Sequence, residues 1–326
     1  AGPVASLAFT TLPYPLKNGV AVGSSAIKVT AYDSVGAVTT NSSDSITLTV
    51  SAGYTLGGLG SKTVTLSSGV ATFGNVSVTG AAGNFNFVAT DSAVSVSQTS
   101  DNVRLNTKPS VTLVATTSAQ VTDTSATLRA DVVGNSTGSS STVEFCYGTS
   151  QVFVGCTTAA TTSIAASDTA SATRKTVDVT GLNPGTTYYY RATAQNDVGT
   201  TSDESGVFTT APTITSVTDA DGFSSGPAVG GKEMTITGSG FGANSTEFNA
   251  KNIRVQFGET ATDLGTSVTY VSSTSITVVT PAHAAGTVNV YLLSGASAGQ
   301  TDAIATASNA FEYIAAPTVT TALTSG

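Results

Sequence analysis

Residues 181–199 read GLNPGTTYYYRATAQNDVG. Asn183-Pro184-Gly185 has the residue types of a tight turn, since Pro presets φ and Gly accepts left-handed backbone. The chain then alternates. Tyr188, Tyr190, Ala192 and Ala194 fall on one side, Arg191 and Gln195 on the other. A period of two belongs to a strand with one buried face, not to a helix.

The same alternation recurs in both directions along the chain. Ile27, Val29 and Ala31 alternate with Lys28 and Thr30, and Ile46, Leu48 and Val50 with Thr47 and Thr49. Ala126, Leu128, Ala130 and Val132 alternate with Thr127, Arg129 and Asp131, and Ile253, Val255 and Phe257 with Arg254 and Gln256. Each set buries one face and wets the other, as in a two-layer antiparallel sandwich. Turn clusters such as Asp33 to Gly36 separate the runs. No window of about 11 residues repeats apolar groups at helical spacing. The fold expected is all-β.

Composition narrows the function. The 326 residues include 12 basic and 20 acidic groups, a net charge of −8, which argues against a nucleic-acid partner. Charged residues are only 10% of the chain, and Ala, Thr, Ser, Val and Gly fill the space. No apolar run approaches the roughly 18 residues that cross a bilayer. Residue 1 is Ala and no signal-peptide pattern opens the chain, so a piece of a longer soluble chain is expected.

Pro-bearing connectors at Lys108-Pro109, Ala211-Pro212 and Ala316-Pro317 divide the chain into 1–107, 108–211, 212–315 and a tail, 316–326. Each long piece has the size of one sandwich, about 100 residues. The tail APTVTTALTSG parallels KPSVTLVATTS at 108–118. It is expected to be a linker or the first strand of a further sandwich, in the same chain or exchanged with a neighbour.

The middle piece resembles a fibronectin type III domain on residues 181–199. That resemblance implies a tyrosine corner, with Leu182 plugging the core, Pro184 in the turn and the Tyr188 hydroxyl bonding backbone. Leu128 stands where the family carries Trp. The third piece resembles the IPT/TIG domain. The carriers are Pro212-Thr213-Ile214, GGKEMTITGSGF (230–241), VQFG (255–258), SSTSITVVTP (272–281), GTVNVYL (286–292) and Phe311-Glu312-Tyr313. Residues 242–252 exceed the family's usual length. The first piece resembles bacterial Ig-like repeats of the invasin and adhesin kind. Its carriers are KVTAYDSVGAVTT (28–40), SITLTV (45–50) and SSGVATFGNVSVTGAAGNFNFVAT (67–90), with Val70, Phe73, Val76, Phe85, Phe87 and Ala89 as core. Together these imply three tandem Ig-like/fibronectin-like antiparallel β-sandwiches.

Material for chemistry is scarce. His283 is the one imidazole, and its place in TPAHAAGTV reads as a solvated turn. No catalytic residue and no cofactor site are expected, and no zinc ligand set exists in the sequence. Gly57 to Thr63 mimics a phosphate loop, but Ser61 breaks the spacing and a strand follows. Asp219 and Asp221 are the one calcium candidate, lacking the further acidic ligands of a full loop. Asn41, Asn75, Asn135 and Asn244 begin Asn-x-Ser/Thr triplets, at a frequency chance explains in so Ser/Thr-rich a chain. Cys146 and Cys156 are expected to pair across a hairpin on its wet face, which implies an oxidising compartment.

The expected object is a non-catalytic structural or adhesive segment of a bacterial extracellular surface or filament-forming protein. Its partners would be further copies, in self-assembly or a homopolymer, or a cell-surface or glycan ligand. The alternatives are spacer modules of a secreted polysaccharide-degrading enzyme, and Ig-like decoration of a virion or tail fibre.

Overall fold

The computed structural model describes residues 2–40, 42–166, 171–294 and 303–318. It holds three hydrophobic cores in chain order, each enclosed by β-sheets.

The second sandwich is the simplest. One sheet orders Ser110–Val114, Ser125–Val133 and Thr173–Thr180. The other orders Thr157–Ile164, Ser141–Gly148, Thr187–Gln195 and Thr200–Thr209. All pairs are antiparallel. The alternating sets meet between the sheets: Ala126, Leu128, Ala130 and Val132 from one, Val143, Phe145, Tyr190, Ala192 and Ala194 from the other, all buried. The β-branched and aromatic residues of these runs suit a pleated, half-buried surface.

The first sandwich pairs Ser6–Thr11, Ile27–Tyr32 and Val70–Phe73 in one sheet. Val96–Thr99, Phe87–Asp91, Ser45–Val50 and Thr63–Thr65 form another. Its last strand, Val103–Asn106, runs parallel to the short Leu16–Lys17. The third sandwich repeats that arrangement. Thr213–Thr218, Glu233–Ser239, Ser275–Val279 and Thr266–Ser272 form one sheet. In the other, Ala303–Ile314 runs parallel to the short Ser225–Pro227 and antiparallel to Gly286–Leu293.

Three expectations need correction. Val70 is only half-buried, and Ala71 takes the inward place beside Phe73, because strand side chains alternate and residues 71 and 73 share a face that 70 does not. Gln256 is buried rather than wet; its amide donates to the Gly258 carbonyl at 2.9 Å, which compensates part of the burial cost. The long stretch 242–252 contains a helix, Ser245–Lys251, although no helical period is visible. The Asn244 side chain caps it by accepting from the Glu247 amide at 3.0 Å. Among the described residues no helix is long and apolar enough to cross a membrane.

Candidate functional site

The Cys146–Cys156 disulfide closes a loop ten residues long, with the two Cα atoms 5.8 Å apart. It does not lie open to water, as alternation with Glu144 implied: Cys146 is only 2% exposed. The cause is tertiary. The loop bends through Phe153, which has a φ of 53°, and buries that ring. Arg191, the register partner of Cys146, holds its guanidinium 5.6 Å from the ring centroid in a cation–π contact. Val152 and Val154 remain exposed at the tip.

At the neighbouring turn, the Asn183 amide donates to the Tyr188 hydroxyl at 3.0 Å, while the Tyr188 ring stacks on Phe208 at 5.5 Å. Leu182 is buried beneath it. Pro184 precedes Gly185, whose positive φ of 61° makes the reversal.

The calcium candidate is occupied by protein donors. Asp219 accepts from the amides of Asp221 at 3.0 Å and Phe223 at 2.8 Å, and its other oxygen meets Lys232 Nζ at 2.5 Å. The lysine, then those amides, hold its carboxyl below the ordinary carboxylate range. Asp219 thus ties a turn and Asp221 lends it a backbone amide. Among the described residues no three His, Cys, Asp or Glu side chains gather as a metal site requires.

His283 lies in the expected loop but is only partly solvated. Its ring stacks on Tyr313 at 4.9 Å, Nδ1 donates to the Ala284 carbonyl at 2.7 Å, and Nε2 lies 4.0 Å from Asp263. These contacts fasten the turn to the sheet. The glycine-rich Gly57 to Thr63 stretch joins two strands, with Lys62 Nζ on the Gly58 carbonyl at 2.8 Å. Of the triplet asparagines, Asn41 lies outside the described residues. Asn135 spends its amide on the Lys108 carbonyl at 2.9 Å.

The most developed polar constructions lie between sandwiches. At the first joint, the buried Asn106 donates to Ser136 at 3.1 Å and accepts from the Thr137 amide at 3.2 Å. Asp197 accepts from Ser136 and Ser139 and pairs with Lys17 at 3.2 Å. Asn196 donates to the carbonyls of Thr107 at 2.7 Å and Gly134 at 2.9 Å. At the second joint, backbone meets backbone: a Cβ on Gly185 would lie 2.1 Å from the Gly240 oxygen. Lys251, at the end of the inserted helix, donates to the Gly185 carbonyl at 2.5 Å. Burial pushes its ammonium pKa down, with Glu247 opposing. Clefts of about 430 and 610 Å³ flank this contact.

Burial acts to raise the Asp197 carboxyl, but hydrogen bonds from Ser139, Ser136 and Lys17 outweigh it and hold the group below the ordinary range. A carboxylate lowered on folding stabilises above its unfolded pKa, and that contribution disappears as pH falls through the folded value. Thermal melts of wild type and Asp197→Asn should therefore differ most above pH 4.5 or so and converge in stronger acid. A constant difference down to about pH 2 would contradict this role.

With this geometry in view, residues 212–313 match the family model of the IPT/TIG domain. That match falls on the third of the chain's three β-sandwiches. No curated protein matches the chain. Solved structures similar to it include an ICAM-5 D1–D4 ectodomain fragment, at 13% identity and TM-score 0.37, covering 95% of this chain and 77% of that one. Another is the three N-terminal domains of the bacteriophage RB49 Highly Immunogenic Outer Capsid protein, at 10% and 0.35, covering 95% and 99%. A third is the Yersinia pseudotuberculosis adhesin InvE, at 14% and 0.26, covering 63% and 58%. At these scores no function passes from them to this chain.

Proposed function

We propose that the chain is a non-catalytic structural and adhesive rod of an extracellular bacterial surface, built of modules 1–107, 108–211 and 212–315. The observation that carries this reading is the pair of bonded joints. A chain whose modules only needed tethering would leave its linkers free. Here side chains are spent on fixing one module against the next. The Cys146–Cys156 disulfide supports an oxidising compartment.

The side chains richest in chemistry serve turns and joints. Asp219, His283 and Asp197 each have structural partners that leave little of them for a substrate. The tail belongs to the same reading as the start of a further sandwich or an exchanged strand. Ala315 to Thr318 are exposed, and residues 319–326 lie outside those described.

Immunogold labelling of intact source cells with antibody against 1–326, before and after brief surface proteolysis, tests the proposal. Label outside the envelope that proteolysis removes is expected. Label confined to the cytoplasm, appearing only after lysis, would overturn it.

A further inference from the structure

The end strand of a sheet presents backbone N–H and C=O groups with no partner, and proteins guard such edges with charge, Pro, shortness or a bulge. Thr157–Ile164 is an end strand of the second sandwich and pairs on one side only, with Ser141–Gly148. Its eight residues, TTAATTSI, include no charge and no Pro. The other end strand of the same sheet, Thr200–Thr209, carries Asp203 and Glu204. The uncharged end strand Thr266–Ser272 of the third sandwich is shorter and breaks register twice. Thr157–Ile164 has one bulge, at Ala159, and pairs regularly from Ala160 to Ile164. Thr157, Thr158, Thr161 and Ser163 are exposed.

The residue types indicate what this edge accepts. Elsewhere the protein joins neighbouring strands by hydroxyl pairs on the wet face. Thr47 meets Thr63 at 3.0 Å, Thr187 meets Thr209 at 2.9 Å and Thr193 meets Ser202 at 2.9 Å. Such cross-strand pairs stabilise a sheet, whereas like charges directly opposite destabilise it. A second Thr157–Ile164 laid antiparallel on the first satisfies both conditions. Hydroxyls face hydroxyls, and no charge on the strand meets its like. Each chain carries a net charge of −8, so an uncharged contact adds nothing to the repulsion between copies.

The strand beside this edge fits the same arrangement. Thr173–Thr180 ends the opposite sheet and runs next to Thr157–Ile164. Arg174 near its start and Asp178 near its end are both exposed and share a face, being four residues apart. A two-fold axis across the middle of the strand sets Arg174 of one copy toward Asp178 of the other. Opposite charges then face each other across the pair. The strand's charges, a barrier to most added strands, become complementary for a second copy of this chain.

We infer that the edge strand Thr157–Ile164 pairs antiparallel with the same strand of a second copy of this chain, joining two sheets into one across a two-fold axis. Such a contact is isologous and closes at two subunits. The sandwiches are joined at their strand ends, so antiparallel strands give rods that run in opposite directions. Rods projecting from two facing surfaces meet in that way. The pairing rests on the rod reading for this adhesive role and names its partner, a like rod. One strand pair is small, which places the contact among weak interfaces.

Sedimentation equilibrium of the full chain, from about 10 µM to about 1 mM at about 0.15 M salt, tests it. Wild type should pass from monomer to dimer and go no further. Thr161 lies near the middle of the strand, where a new charge meets its own copy. Thr161→Lys alone and Thr161→Glu alone should each weaken dimerisation about fivefold or more, with melting curves close to wild type. Equal parts of the two variants should restore it, because Lys then faces Glu. Glu144→Gln is added to Thr161→Glu should that variant melt early, since residues 144 and 161 are register partners. Four results would overturn the pairing: monomers at every concentration, even where the edge takes up an unrelated extended peptide; species beyond dimers that both variants form equally; a dimer untouched by either variant; or a mixture as weak as its parts. None of these would touch the surface location, which immunogold labelling reads independently. Label confined to the cytoplasm would remove the facing surfaces and leave the dimer standing.

Discussion

Reducing the Cys146–Cys156 disulfide lowers the stability of the second sandwich by about 2–3 kcal/mol. The bond closes a short loop, ten residues in sequence, and loop-closure entropy of that length accounts for the figure in the chain-entropy model. A second contribution has the same sign. The disulfide holds the loop that carries Phe153 over the outer face, and releasing it exposes that ring and the buried Cys146 together. The edge strand Thr157–Ile164 begins at the next residue, so its pairing with Ser141–Gly148 frays from that end. Guanidinium unfolding with and without reductant, repeated on Cys146→Ala/Cys156→Ala, measures the effect. The midpoint should fall with the slope nearly unchanged, as for a loss of stability without a change of mechanism. A shift under about 0.5 kcal/mol would show that the loop is held by its side chains alone.

Gly240→Val opens the joint between the second and third sandwiches while leaving both folded. Gly185 and Gly240 touch through backbone: a Cβ on Gly240 would stand 2.6 Å from the Gly185 nitrogen, closer than real Cβ contacts come. Neither residue can turn away, since each sits at positive φ, 61° and 84°, in its own turn. The valine therefore pays a local strain of about 1–2 kcal/mol and separates the modules. Separation breaks the Lys251 bond to the Gly185 carbonyl, whose lone contribution is about 1–3 kcal/mol for a charged donor. Small-angle scattering should show a broader distribution of intramolecular distances for the variant than for wild type. Lys251→Met, which removes the bond and keeps the glycine contact, should move the distribution less. Identical curves for wild type and Gly240→Val would mean that this contact does not set the joint.

Much of the sandwich interior was legible because it follows from alternation alone. Tyr188, Tyr190, Ala192 and Ala194 are buried, as their period of two requires. Leu182, Pro184 and Tyr188 build a turn whose hydrogen bond joins residues five apart, well within the reach of a local motif. What alternation could not supply was anything laid across a face from elsewhere. Cys146 is on the outer side by pattern and buried by a loop whose Phe153 carries no periodic signal. Gln256 and His283 have polar side chains in a wet pattern, yet contacts from Gly258 and from Tyr313 draw them in. The helix Ser245–Lys251 is too short for a period to register, although Asn244 followed by Glu247 is a helix-start pattern that marks it. The joints were the least legible. Asn106 and Asp197 are separated by ninety-one positions, and nothing in either neighbourhood says that they share a network through Ser136.

On this reading the joints fix the sandwiches into one shape. Single-particle electron microscopy of dilute wild-type 1–326 tests it most directly. Class averages should show three beads joined in line, with one angle at each joint repeated across particles. Beads whose angles vary freely from particle to particle, or a compact cluster with the first and third sandwiches in contact, would contradict it.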